Sequence, residues 1–356
     1  MKDKMAIQQI AQRFIDLATD AGCSKKADAG ELTAMLRSVA ANTNSSSIRK
    51  LGETFPDVGR SRVGDAECMA TVDVLFPMVH EPEDFGRIVA NHVLGDIYAA
   101  FGLPTFALAV VGIPYGVEAS GNEVTEMMSG AVRELGDAGA CLIGGHTLAK
   151  QSDLSLGFTV VGTPMRGERK TVRATGHGDP IFVTKRLGTS VATLLWKTED
   201  AQDDSFQDAK SSMLQSNLTA ARLLYRSGVT YCTDVTGFGL VNHLHRLMLR
   251  TESASKIFFD LLPAFASVTP IEEAGYPTSS LYFQNVEFAS RFSNALSACA
   301  HKKSALLFDA QVAGGLLFTY PREQSQELEQ DFEQAGIELF KIGNLKKGKI
   351  GEVTIL

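Results

Sequence analysis

Apolar residues at Ile7, Ile10, Phe14 and Leu17 fall at helical spacing and predict a helix over residues 7–17. The stretch 31–40, ELTAMLRSVA, predicts a second helix. Residues 41–64 are polar and rich in Ser and Gly, which reads as a long loop. From about Arg62 the two periods alternate. Residues 67–76, ECMATVDVLF, predict a strand, and 83–101, EDFGRIVANHVLGDIYAAF, a long helix with Pro82 at its first turn. A strand over 105–113 follows, then a helix over 121–139 that ends at a glycine. Residues 140–145 and 154–162 predict two more strands. Gly144, Gly145, His146 and Thr147 form a tight turn after the first of them.

The second half repeats the alternation. Strands are predicted over 181–185, 229–234, 256–262, 304–310 and 315–321, with short strands closing the chain. Helices are predicted over 210–228, 237–249 and 322–336. The pattern is that of an α/β or α+β protein. Residues 163–180, TPMRGERKTVRATGHGDP, concentrate Gly, Pro and charge and mark a boundary. The expected organisation is an N-terminal segment over 1–60, a domain over 61–168 and a C-terminal domain over 169–356.

A length of 356 residues suits about two domains, each able to bury a core. The net charge of -7 disfavours general affinity for nucleic acid, which rests on cationic surfaces. Five cysteines, widely spaced and without a Cys-x-x-Cys pair, argue against a disulfide framework and for a reducing compartment. MKDKMAIQQI lacks the apolar centre of a signal peptide, and runs such as FALAVVGIP are too short to cross a bilayer. A cytoplasmic protein without membrane contact is expected.

Several motifs carry no chemistry. Gly343 to Ile350, GNLKKGKI, nearly matches a phosphate loop but lacks the hydroxyl that meets magnesium and the helix that should follow. His243 and His245 are two apart, which on a helix puts them on different faces. Four aspartates weigh more. Asp65 precedes a strand, Asp73 lies toward its end, Asp96 interrupts the apolar run VLGDIYAA, and Asp234 ends a strand before VTGFG. A carboxylate in apolar surroundings is costly unless paired or metal-bound. Magnesium favours a few carboxylates together with substrate phosphates. In AGCSKKADAG, Cys23 sits beside Lys25 and Lys26 in a stretch that cannot pack a core. Those cations favour the thiolate.

The segments AGCSKK, GDAECM, TVDVLFPMVHEPEDFGRIVANHVLGDIYA, IGGHTL, TDVTGFGL and FDAQVAGGLL, in this order, resemble the selenophosphate synthetase (selenide, water dikinase) family. That family belongs to the superfamily of aminoimidazole ribonucleotide synthetase. The resemblance implies an α/β N-terminal domain that dimerises into a β-barrel, followed by an α+β C-terminal domain. It implies a homodimer that converts ATP, selenide and water into selenophosphate, orthophosphate and AMP with Mg2+. Its partners would be ATP and a small inorganic chalcogenide.

Cys23 falls on the family's reactive cysteine, and Lys26 on its essential lysine, which also meets ATP. Asp65, Asp96 and Asp234 fall on magnesium ligands, and Asp73 and Asp96 on nucleotide-contacting aspartates. Gly145, His146 and Thr147 match one nucleotide-binding turn, and Arg62, Val63 and Gly64 a second. Cys23 and Lys26 would lie in a mobile catalytic loop that closes over the site and excludes water.

The chain departs from the family in three places. Its loop reads Cys23-Ser24-Lys25-Lys26, and the turn Asp309 to Gly315 carries Val312 and Ala313 in place of two hydroxyls. SSLYFQN, residues 279–285, lacks the family's arginine. These changes leave two other readings open: the same fold with another acceptor, such as sulfide giving thiophosphate, or a silent nucleotide-binding paralogue. The hydrogenase-maturation branch uses a C-terminal cysteine, which the ending GEVTIL lacks.

Overall fold

The computed structural model describes residues 14, 17–19, 21–22, 29–43, 57–119, 121–198, 206–266, 268 and 278–356. Cys23, Lys25 and Lys26 lie outside the described residues, as does most of the helix expected over 7–17. Helix α1 spans Ala29–Thr43 and contains the predicted 31–40.

The first sheet has five strands: β1 (Gly59–Val63), β2 (Ala66–Leu75), β3 (Gly102–Pro114), β4 (Cys141–Gln151) and β5 (Ser155–Pro164). Their order is β1-β2-β5-β3-β4, antiparallel except where β3 runs parallel to β4. Side chains of β2 alternate across the sheet. Met69, Thr71 and Leu75 are buried, while Ala70, Val72 and Val74 face solvent. Helices α2 (Pro82–Ala99) and α3 (Asn122–Asp137) pack together beside this sheet. Helix α2 is buried from Phe85 to Ala99 with Arg87 the one exception. Its buried positions are mostly apolar, which marks an interior helix, and the buried Asn91, His92 and Asp96 are the exceptions.

The second sheet has six strands in the order β11-β8-β10-β6-β9-β7. They are β6 (Pro180–Val183), β7 (Cys232–Asp234), β8 (Ala254–Ile257), β9 (Leu316–Thr319), β10 (Phe340–Lys346) and β11 (Val353–Ile355). Only the β11–β8 pairing is parallel. The accompanying helices are α4 (Thr189–Thr198), α5 (Gln207–Leu214), α6 (Leu218–Arg226), α7 (Gly239–Arg250), α8 (Tyr282–Ala289), α9 (Ala295–Ala298), α10 (Ser304–Phe308) and α11 (Ser325–Gln334). The architecture is an α/β N-terminal domain followed by an α+β C-terminal domain. Helix α2 lies at the seam, against α5, α6 and β7.

The structure corrects several expectations. The end of the presumed 41–64 loop is strand β1, whose side chains are all exposed and so carry no apolar alternation. Gly144 to Thr147 is not a turn but part of β4. The run 304–310 is helical over Ser304–Phe308, because a short apolar stretch buried on every side has no readable period. The strand expected over 256–262 stops at Ile257 and gives way to a 3-10 turn over Phe259–Leu261. The single helix over 210–228 is two helices broken at 215–217. At the break Asn91 donates to the carbonyls of Met213 (2.7 Å) and Gln215 (2.8 Å), and Lys185 Nζ donates to those of Ser212 and Gln215.

The segment between the sheets is pinned by Asp179. Its carboxylate accepts from Arg173 at 2.6 and 2.8 Å and from the backbone N–H groups of Gly176 and Arg322. Burial alone would raise its pKa, but these donors outweigh burial and hold it below the ordinary carboxylate value. Its contribution to stability is therefore present above the unfolded-state pKa and lost as pH falls through the depressed folded value. Asp179→Ala is expected to cost about 2–3 kcal/mol at pH 7, with the gap to wild type narrowing near pH 3 in denaturant titrations.

Candidate active site

Three aspartates, Asp73, Asp96 and Asp234, meet at the buried helix α2, and a fourth, Asp57, lies near enough to Asp234 for its charge to be felt. Asp96 is on the helix itself and accepts a 2.5 Å hydrogen bond from Thr71 Oγ1 of β2. One turn earlier, His92 lies 3.6 Å from Asp73 through Nε2 and accepts the Ala313 N–H at Nδ1 (2.9 Å). His92 thus joins β2 to the Asp309–Gly315 turn of the C-terminal domain. That turn is held by further polar contacts. Gln311 Oε1 accepts from the N–H of Gly188 (2.8 Å), and Thr189 Oγ1 accepts from Val312 N–H (2.8 Å). Lys185 Nζ, fully buried, donates to Ala313 O at 2.9 Å. Burial lowers the Lys185 pKa to about 7 against the opposing pull of Asp234 and Glu134.

Asp234 is positioned by close approach to α2. A Cβ added at Gly95 would stand 2.6 Å from Asp234 Oδ2, so glycine at 95 makes room for the carboxylate beside Asp96. Asp234 Oδ1 is buried with no hydrogen-bond partner among the described residues. Burial, then the charges of Asp57 and Asp73, push its pKa up to about 7, partly offset by His92. An alanine at 95 suits the helix but collides with the carboxylate. Gly95→Ala is therefore expected to leave the fold intact and weaken magnesium-dependent ATP binding at least tenfold in calorimetric titration.

Asp57 is the residue that sequence reasoning missed. It precedes β1, accepts from Thr233 Oγ1 (2.9 Å) and pairs with Arg246 (2.9 Å), and its charge reaches Asp234. Burial would raise its pKa, but Arg246, His243 and the Thr233 bond together lower it. Asp65 does not join the group. It is exposed in the β1–β2 turn, where Arg62 donates to its carbonyl at 3.1 Å. Six residues of extended strand separate it from Thr71, about 20 Å. Arg62, Val63 and Gly64 are exposed beside it, Gly64 at φ +60.

His146 and Thr147 are also exposed, on β4. Gly145 is needed there because a Cβ would meet Ala109 O at 2.2 Å across the β3–β4 pairing. The two nucleotide-binding segments expected from the sequence therefore lie on strands of the open sheet, apart from the aspartates at α2. His243 and His245 face different partners, Thr233 and Gly351, as their spacing predicted.

These donors fit a hard divalent cation. They are carboxylates, and one buried oxygen of Asp234 lacks any partner among the described residues. Among the described residues no three His, Cys, Asp or Glu side chains are grouped so as to hold a metal ion. Magnesium bound by one or two carboxylates and substrate phosphates needs no such group. Among the described residues Cys68, Cys141, Cys232 and Cys299 are free thiols, and no helix is long and apolar enough to cross a membrane.

The family described as AIR synthase related protein matches this chain twice, its N-terminal domain over residues 57–163 and its C-terminal domain over 176–356. The chain belongs to that family. A selenide, water dikinase of Geobacter metallireducens is 32% identical over 268 residues, 75% of this chain and 77% of that protein. One from Myxococcus xanthus is 29% identical over 346 residues, 96% of each chain. Among solved structures, thiamine monophosphate kinase from Aquifex aeolicus superposes with a TM-score of 0.63 at 19% identity, covering 90% of this chain and 96% of that one. Hydrogenase maturation protein HypE in complex with ATP gives 0.57 at 15%, covering 85% of each. At such identities the likeness shows the fold.

Proposed function

We propose that this protein makes selenophosphate from ATP, selenide and water, releasing orthophosphate and AMP. The observation that carries the reading is the meeting of Asp73, Asp96 and Asp234 at α2 on the domain seam, with Asp234 buried and partly unpartnered. The similarity to selenide, water dikinases over most of the chain supports the choice of reaction.

In this reading Asp96 and Asp234 would hold Mg2+ together with oxygens of the triphosphate, and Asp57, paired with Arg246, adds negative charge beside Asp234. The cation would neutralise the triphosphate and charge developing on its oxygens. Asp73 contacts the nucleotide and is oriented through His92. The His92–Ala313 bond couples this position to the C-terminal turn. Lys26 places a fixed positive charge on the transferring phosphoryl group, and Cys23 handles the chalcogen. Gly145, His146, Thr147 and Arg62 to Gly64, which lie apart from the aspartates within one chain, would reach the nucleotide only in the homodimer that the resemblance implies.

The outer face of that sheet exposes Val72, Val74 and Leu108, an apolar surface that supports a homodimer. Sedimentation is expected to show a dimer at micromolar concentration, and a monomer would reject this assignment. The proposed reaction itself is tested by its nucleotide product. With Mg2+ and selenide under anaerobic conditions, ATP should yield AMP and not ADP. Accumulation of ADP, or AMP formation indifferent to selenide, would overturn it.

A further inference from the structure

Away from the aspartates, a groove of about 550 Å³ opens between the end of β5 and the outer face of α6. That volume lies within the range of small-molecule sites, about 300–1,000 Å³. Its floor is apolar, formed by Leu103, Met165 and Tyr225, and its rim carries Arg166, Arg222 and Arg226.

The arginines stand out because their neighbours are engaged. Lys170 pairs with Glu327, and Arg173 with Asp179 and Glu323. Arg166, Arg222 and Arg226 make no ion pair or side-chain hydrogen bond among the described residues, although Glu168 also borders the groove. Arg222 and Arg226 are also one helical turn apart, a like-charge spacing that costs stability. In a chain of net charge -7, three exposed guanidinium groups against the single carboxylate of Glu168 around one apolar floor point to an anionic ligand.

The walls are fixed before any ligand arrives. Met165 N–H donates to Phe101 O at 2.7 Å, which anchors the segment leading to Arg166. Arg169 lies 5.0 Å over the Tyr225 ring and donates to Val229 O, so it braces the floor rather than the rim. Planar guanidinium groups match phosphate oxygens in pairs, and Thr219, one turn before Arg222, borders the groove with a hydroxyl.

We propose that this groove binds a nucleoside phosphate, its phosphate held by Arg166, Arg222 and Arg226 and its apolar body laid on Leu103, Met165 and Tyr225. The site uses none of the aspartates at α2 and needs no metal, so it stands apart from the proposed reaction.

The test is calorimetric titration of the full chain with AMP in excess EDTA. One AMP should bind per chain, inorganic phosphate should compete, and adenosine should not bind. Arg222→Gln and Arg226→Gln should each weaken AMP at least tenfold with an unchanged thermal transition. Arg166→Gln, off the helix, should do the same and guards against a local defect in α6. Asp96→Asn should leave this binding unaltered. The proposal is overturned if AMP does not bind in EDTA, or if the three substitutions leave it unchanged. It is equally overturned if binding is lost in Asp96→Asn, or if a glutamate-rich peptide or a single-stranded oligonucleotide binds the groove in preference to AMP.

Discussion

Asp234→Asn is expected to abolish selenophosphate formation, by at least about 10³-fold, and at the same time to stabilise the metal-free protein. The two effects have one cause. Asp234 is buried, its Oδ1 has no partner among the described residues, and Asp57 and Asp73 add repulsion. Its charge is costly to the fold and useful only when a cation arrives. The folded-state pKa is raised to about 7 from 3.8, so the folded protein prefers the proton. Stability contributed by this group therefore falls as pH rises from the unfolded value through the folded one. Asparagine removes the charge, so the gain in EDTA should be on the order of 2 kcal/mol at pH 8 and less than half of that at pH 5. Thermal or denaturant unfolding of both proteins at the two pH values checks this. An asparagine variant less stable than wild type at pH 8 would mean that the carboxylate is satisfied within the fold and is no cation site.

The second large effect belongs to Cys23 and Lys26, which should fail differently. Lys26→Ala is expected to abolish ATP cleavage, because it removes a fixed positive charge from the phosphoryl group in flight. Lys25→Ala should be mild, since the resemblance places the essential cation at Lys26 and not at its neighbour. Cys23→Ala should keep nucleotide binding but lose acceptor-dependent product, with residual ATP hydrolysis as water replaces selenide. Cys23→Ser should be nearly as poor, a hydroxyl being far less ionised than a thiol at neutral pH. Product formation and AMP release measured anaerobically in all four variants separate these outcomes. Wild-type selenophosphate formation by Cys23→Ala would leave the cysteine incidental.

Much of the site was readable because α2 and the β7 turn carry strong local signals. An aspartate inside VLGDIYAA has to be satisfied by something, and TDVTGFGL places Asp234 at a strand end. The structure brings both together, with Gly95 as the point of approach. Asp57 was not readable. FPDVGRS shows neither alternation nor helical spacing, and its aspartate gains meaning only when β1 folds back along β2 and sets Asp57 against Thr233 and Arg246. Asp65, in the turn of the same hairpin, was expected as a metal ligand because it falls on a magnesium aspartate of the family that the chain resembles. A hairpin, however, carries its turn away from the strand end where Asp73 lies.

The same contrast runs through the fold. Strands β2, β3 and β5 declare themselves by alternating burial, while β1 and β4 expose nearly every side chain and are set by backbone pairing. Ser304 to Phe308 reads as a strand until Asn285 is seen donating to Phe308 O (2.8 Å) and Tyr282 to Ser304 Oγ (2.8 Å), contacts from a helix distant in sequence. Glycine at 145 suggested a ligand-facing turn, whereas its immediate cause is the close approach of β3.

The most direct test of the proposed chemistry is phosphorus NMR of the anaerobic reaction of the full chain with ATP and Mg2+, run with selenide, with sulfide and with neither. The account predicts a selenophosphate resonance in the selenide sample alone, growing in step with those of orthophosphate and AMP. A thiophosphate resonance in place of selenophosphate, or no acceptor-dependent phosphorus product in any sample, would contradict it.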